Sequence, residues 1–310
     1  MNLTTNARGR GVALLALAAS TTTGGAYANA QPPEDPQARI AVTMANAGKQ
    51  HVGYGKPVRI NGSVDPKASG KTVRLEYARR GEAYRPVALT RTGAAGSYAF
   101  APKARLSGSF RTVVDGAQTS VAKRVTVISA LSGRVTRRHV LGGRSVGVKG
   151  ALKPGTPGRS VSLQAASGGR WRTVDTTRTG SRGRFRASWL PLRAGEYRLR
   201  LRTNGDRLAA AAADRLAKVS VYRGGHASWY GPGLYGNHLG CGGRLSPATL
   251  GVAHKTLPCG TKVTFRYRGR TATVRVVDRG PYIAGREWDL TAATKAKLGF
   301  GSTGTVWTTR

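Results

Sequence analysis

The feature that most restricts this chain is an internal repeat. Gly55-Lys56-Pro57-Val58-Arg59-Ile60-Asn61-Gly62-Ser63-Val64-Asp65-Pro66 returns as Gly143-Arg144-Ser145-Val146-Gly147-Val148-Lys149-Gly150-Ala151-Leu152-Lys153-Pro154. Thr90-Arg91-Thr92-Gly93 returns as Thr177-Arg178-Thr179-Gly180, giving a period of about 87 residues. A repeat of that size means one folding unit used twice. Within each copy, short runs alternate apolar and polar residues between Gly, Pro, Asn or Asp turns, which is the pattern of half-buried strands. Each copy ends on a turn and a last strand: Asp115-Gly116 then Val125-Thr126-Val127, and Asn204-Gly205 then Val219-Ser220-Val221. About 90 residues of such strands predict an antiparallel sandwich. Leu208-Ala209-Ala210-Ala211-Ala212-Ala213-Asp214 departs from the pattern, and its alanines favour a short helix or a flexible insert.

The last 85 residues read differently. Val274-Arg275-Val276-Val277-Asp278-Arg279-Gly280-Pro281-Tyr282 is an alternating strand that ends on one carboxylate before a rigid turn. Before it come Ser228-Trp229-Tyr230-Gly231 and Ala253-His254-Lys255-Thr256-Leu257-Pro258; after it comes Trp288-Asp289-Leu290-Thr291. That ordered series resembles the RlpA-like (rare lipoprotein A) double-psi β-barrel family. The repeats resemble bacterial Ig-like modules of secreted wall proteins.

The expected fold is therefore all-β: two tandem Ig-like β-sandwich repeats followed by a six-stranded double-psi β-barrel. The expected division is a signal peptide over 1–30, a linker over 31–37, repeats over 38–128 and 129–222, a hinge over 223–225 and the barrel over 226–310. The resemblance implies action on peptidoglycan glycan strands, in some members as a lytic transglycosylase. An expansin-like module that binds glycan without cutting it is the alternative.

Export is read from Arg8 and Arg10 before the apolar run Val12–Ala19, then Ala28-Asn29-Ala30 as a cleavage site. The run is short for a membrane span, and no later stretch is long and apolar enough for one. The mature protein is expected outside the membrane, secreted or at the cell wall. Lys+Arg number 51 against 13 Asp+Glu, a formal net charge of +38. Such a field attracts polyanions. With export, that means anionic wall polymers; nucleic acid is discounted. A monomer is expected, with no cofactor. Cys241 and Cys259, 18 residues apart, read as a disulfide in an exported chain. No histidine or cysteine spacing supports a metal.

Only three acids fall in the last module: Asp278, Glu287 and Asp289. Asp289 precedes a helical pattern ended by Gly299 and is expected to cap it; Glu287 is expected as a solvated loop charge. Asp278 remains for chemistry, either as an acid/base or as an Asx turn residue. A lytic transglycosylase can work with one such group, because the muramoyl 6-hydroxyl is the nucleophile. His254 could orient Asp278 or simply end a strand. Where active relatives read G-E-R, this chain reads Gly242-Gly243-Arg244, so the second candidate acid is missing. Trp229, Tyr230, Tyr235, Arg279 and Tyr282 are candidate sugar contacts, together with Trp288, and Trp307 is expected in the core.

Overall fold

The computed structural model describes residues 41–45, 49–65, 67–114 and 119–310. The expected signal peptide, the linker, the start of the first repeat and the Asp115-Gly116 turn lie outside them. The described chain is all-β, with one seven-residue α-helix, Ala292–Leu298, among its strands.

The repeat becomes two β-sandwiches. In the first, Ala41–Ala45, Ile60–Asp65 and Ser97–Phe100 form a three-stranded sheet. It packs against a second sheet containing Thr72–Arg79, Arg85–Arg91, Gly108–Val114 and Lys123–Ile128. Val58, Ile60, Val73, Leu75, Val125 and Val127 are buried between the layers. In the second, Ala130–Val135, Val146–Lys153 and Arg184–Trp189 cover Arg170–Arg178, Ser160–Ser167, Gly195–Gly205 and Ala210–Arg215. Val146, Val148, Leu163, Leu199 and Leu201 close that core.

The copies agree down to single backbone angles. Ala95 and Arg182, at equivalent positions of the Thr-Arg-Thr-Gly turn, both take φ 57°. The next residue in each is Gly96 or Gly183, where a Cβ would run into the carbonyl of Val64 or Leu152. Thr92 and Thr179 serve both turns in the same way: each Oγ1 accepts the amide of Lys71 or Arg159 and donates to Ala68 O or Thr156 O.

The alanine run is neither helix nor flexible insert. Ala210–Arg215 is a strand paired antiparallel with Gly195–Gly205. Asp206 Oδ1 accepts the amides of Leu208 and Ala209 and closes the turn between them. Pairing with a neighbouring strand overrides the helical preference of alanine, which is only a weak prior.

The expected hinge is not one either. Arg223, Gly224 and Gly225 lie inside the continuous strand Val219–Tyr230 and pair with Thr308, Trp307 and Val306. Upstream of them the same strand pairs with His139–Leu141 and with Gly195–Tyr197 of the sandwich. Gly225 is needed for closeness, since a Cβ there would stand 2.7 Å from the Trp288 indole nitrogen.

Beyond it, six strands close a ring. In order around it they are Val219–Tyr230, Trp288–Thr291, Gly251–Ala253, Arg270–Asp278, Lys262–Tyr267 and Gly304–Thr308, which pairs back with the first. Trp288 is fully buried at its centre, its ring 5.0 Å from Phe265, so it cannot stack on a sugar. Trp307, expected inside, is half-buried instead, with its ring 5.9 Å from Tyr222 at the junction. Its strand neighbours Val306 and Thr308 take the inward positions.

Candidate active site

Asp278 reaches its position through a bulge. Val274 and Val276 point into the barrel, and plain alternation would send Asp278 inward after them. However, Val252 pairs with Val276 while Ala253 pairs with Asp278, so Val277 is an extra residue in the ladder. The bulge switches the strand's face and brings Asp278 level with Ala253. It needs Gly251, because the Val277 side chain occupies the space a Cβ there would take.

Across the next strand, Ala253 pairs with Asp289, and Asp289 pairs with Ser228. Direct partners share a face. Ser228, Asp289, Ala253 and Asp278 thus form one row across four strands, with Tyr230 on the face of Ser228. Two strand spacings put the acids' Cα atoms about 10 Å apart.

Asp278 Oδ1 accepts the Gly240 amide at 2.7 Å and the Arg279 amide at 2.8 Å. Gly240 comes close because it lacks a Cβ, which would lie 3.1 Å from Asp278 Oδ1. Its neighbour Cys241 is bonded to Cys259. The disulfide thus anchors the loop that carries this amide donor, and it is a bond typical of oxidising, extracytoplasmic compartments.

Asp289 does not cap the helix; Thr291 does, its Oγ1 accepting the Thr294 amide. Asp289 Oδ1 instead accepts from Ser228 Oγ at 2.8 Å. Burial pushes its pKa up, and the negative charge of Asp278 adds to this, against the Ser228 hydrogen bond and Arg286. The Tyr230 hydroxyl is enclosed beside the Asp278 carboxylate. Burial, then the Asp278 carboxylate beside it, hold its phenol above the ordinary range. Among the described residues neither acid forms an ion pair, in a chain with 51 cations.

The other expected residues divide. The His254 ring packs 4.5 Å from that of Trp288, and its Nδ1 accepts the amides of Thr256 and Leu257. The ring makes no hydrogen bond to Asp278, although the His254 amide donates to the Asp278 carbonyl at 3.2 Å. Burial lowers its pKa, with Glu287 opposing, so the neutral ring holds the 254–257 turn. Glu287 is not a free loop charge: it accepts two hydrogen bonds from Arg223. Arg279, expected on sugar, braces the same turn instead, donating to Leu257 O, His254 O and Cys259 Sγ. Trp229 is half-buried with Lys295 Nζ 3.6 Å over its ring, so that face is covered. Tyr235 and Tyr282 are 39% and 80% exposed, on loops that follow Tyr230 and Asp278, and can take a ligand's apolar face. Gly243 takes φ +79° with open space around its Cα, a backbone that a glutamate would adopt only under strain.

Sequence reasoning missed Ser228, Gly240 and the placement of Asp289. The alternation Trp288, Asp289, Leu290 was a strand signal, masked by the helix that follows.

A family model described as lytic transglycolase matches residues 222–308. A Synechocystis sp. protein named "Probable endolytic peptidoglycan transglycosylase RlpA" is 43% identical over 93 residues, covering 29% of each chain. The matched part coincides with the closed six-stranded ring. Residues 222–308 are an RlpA-like double-psi β-barrel. The Campylobacter jejuni "Endolytic peptidoglycan transglycosylase RlpA" is 42% identical over 84 residues, 26% of this chain and 30% of that one. The chain spans less than a third of the length of these two curated relatives. Among solved structures, a tetra-tandem repeat from the extending region of a large adhesion protein covers 78% of this chain and 63% of its own, at 13% identity and TM-score 0.33. No helix of the described residues is long and apolar enough to cross a membrane.

Proposed function

We propose that this RlpA-like barrel cleaves peptidoglycan glycan strands as a lytic transglycosylase, outside the membrane, in a secreted monomer. The observation that carries the reading is the pair of carboxyls facing one way across Ala253, one of them pushed toward its protonated form.

The roles follow from the surroundings. Asp289, with its raised pKa, protonates the glycosidic oxygen as that bond breaks. The 6-hydroxyl of the same muramoyl unit attacks the anomeric carbon and gives its proton to Asp278. Water returns that proton to Asp289, and the strand is left with a 1,6-anhydro end. Asp278 is turned for this by two amides on Oδ1. Asp289 in this way takes the place of the glutamate that Gly243 replaces. Tyr235 and Tyr282 would hold the sugar rings.

The test is mass spectrometry of isolated peptidoglycan incubated with purified protein. Anhydro ends that vanish in both Asp278→Asn and Asp289→Asn are expected. Ends made equally well by Asp278→Asn would overturn the role given to Asp278. Glycan that is bound with no ends formed by wild type would establish the second reading, an expansin-like binder, which Gly243 favours. Full activity in Asp289→Asn would return both proton transfers to Asp278 alone.

A further inference from the structure

The two sandwiches carry the same framework with a substitution that removes the acid from one face. In the first, Arg111 stacks over Tyr84 at 4.1 Å, and its Nε donates to Glu76 Oε2 at 2.8 Å. Arg74 donates to the other oxygen of the same carboxylate. In the second, Arg200 stacks over Trp171 at 4.2 Å and its Nε donates at 2.7 Å, but to Gln164. Gln164 occupies the place of Glu76 in the repeat. The geometry is kept and the negative charge is gone.

Around Arg200 the cations continue. Arg198 and Arg202 lie on the same face of Gly195–Gly205, spaced about 7 Å apart along the strand. Arg215 is the direct cross-strand partner of Arg200. Like charges opposite one another destabilise a sheet, yet none of these four arginines forms an ion pair among the described residues. Glu196, at the end of the row, accepts from Ser220 Oγ. At the other end a cavity of about 400 Å³ is lined by Arg178, Arg202 and Arg207 and by Ser160 and Ser162. The one acid lining it, Asp206, is already paired with Arg159 at 2.6 Å.

We infer that this face of the second sandwich binds a phosphodiester polymer. A strand of evenly spaced guanidiniums matches an extended chain of phosphates, and guanidinium forks suit phosphate oxygens. Nucleic acid fits less well: bases need open aromatic faces, and Arg200 covers Trp171, with Arg198 6.0 Å from its ring centre. The polymer is therefore of the polyol-phosphate kind.

The full-length protein should be titrated with fluorescent poly(glycerol phosphate) across a salt series. R198Q/R200Q/R202Q should weaken binding at least tenfold and flatten the log–log salt slope by about two to three, one unit or slightly less per lost phosphate contact. Gln164→Glu keeps every arginine and restores the acid of the first sandwich, so it tests the idea without stripping the sheet; a several-fold loss is expected. R85Q/R105Q/R124Q, which removes three exposed arginines of the first sandwich, should cost less than twofold. An equal loss in that control would reduce the effect to net charge and overturn the proposal. So would polyglutamate of the same charge bound as tightly, or single-stranded DNA bound more tightly.

Discussion

In the second sandwich, guanidiniums stand without acids: Arg198, Arg200, Arg202 and Arg215 share a face whose central acceptor is the neutral Gln164. In the barrel, two of the three carboxyls form no ion pair among the described residues: Asp278 is held by amides and Asp289 by a serine hydroxyl. Other acids of this +38 chain do find arginines, as Asp206 finds Arg159 in the second sandwich and Glu287 finds Arg223 within the barrel itself. Charge left uncompensated in a folded protein has a cost. The two regions bear that cost with opposite sign, which is what a surface for a polyanion and a site for proton transfer each require.

The sharpest way to break the contrast is to neutralise the barrel's acids. Asp278→Asn or Asp289→Asn should lower the formation of anhydro ends by about 10²–10⁴-fold, the usual contribution of a general acid or base, with folding unchanged by circular dichroism. Next in size is the support beneath Asp278. Replacing both Cys241 and Cys259 by serine should cost about 3 kcal/mol on the chain-entropy estimate, read as a lower Tm. It should also reduce activity, because the Gly240 amide loses its anchor. Gly225→Ala pushes a methyl into the Trp288 indole and should cost about 1–3 kcal/mol, although the residue touches neither acid.

A pH series refines the picture. The folded state holds His254 with a lowered pKa, so the stability it contributes is present above the ordinary histidine value of about 6.5 and is lost as pH falls below it. Protonation there removes the Nδ1 acceptor used by Thr256 and Leu257. The Tm of wild type should drop as pH falls below about 6.5, and His254→Gln should flatten that drop.

The smallest effect is expected in the first sandwich, where Glu76→Gln copies the second. Burial alone would raise the Glu76 pKa, but Arg111 and Arg74 outweigh it and lower it. Both arginines are about a third exposed, so the loss should stay within about 1 kcal/mol. Phosphodiester binding should rise if the paired acid is what silences that face.

What the sequence determined by itself was local. Period-two alternation and Gly/Pro turns specified strands, and the repeat announced two equivalent units. The cysteine count specified a disulfide, and the order of motifs from Ser228 to Leu290 specified the barrel. These signals survive because neighbouring residues set them. Tertiary structure decided which faces and partners those strands took. The extra Val277 turned Asp278 outward, and pairing through Ala253 brought Asp289 beside it, although the helix behind it argued for a cap. Gly225 looked like a hinge until the Trp288 ring lay against it. Gln164 looked unremarkable until its partner proved to be Arg200. Each of these turns on contact between residues distant in the chain, and a periodic pattern says which side a residue faces without saying what it meets there.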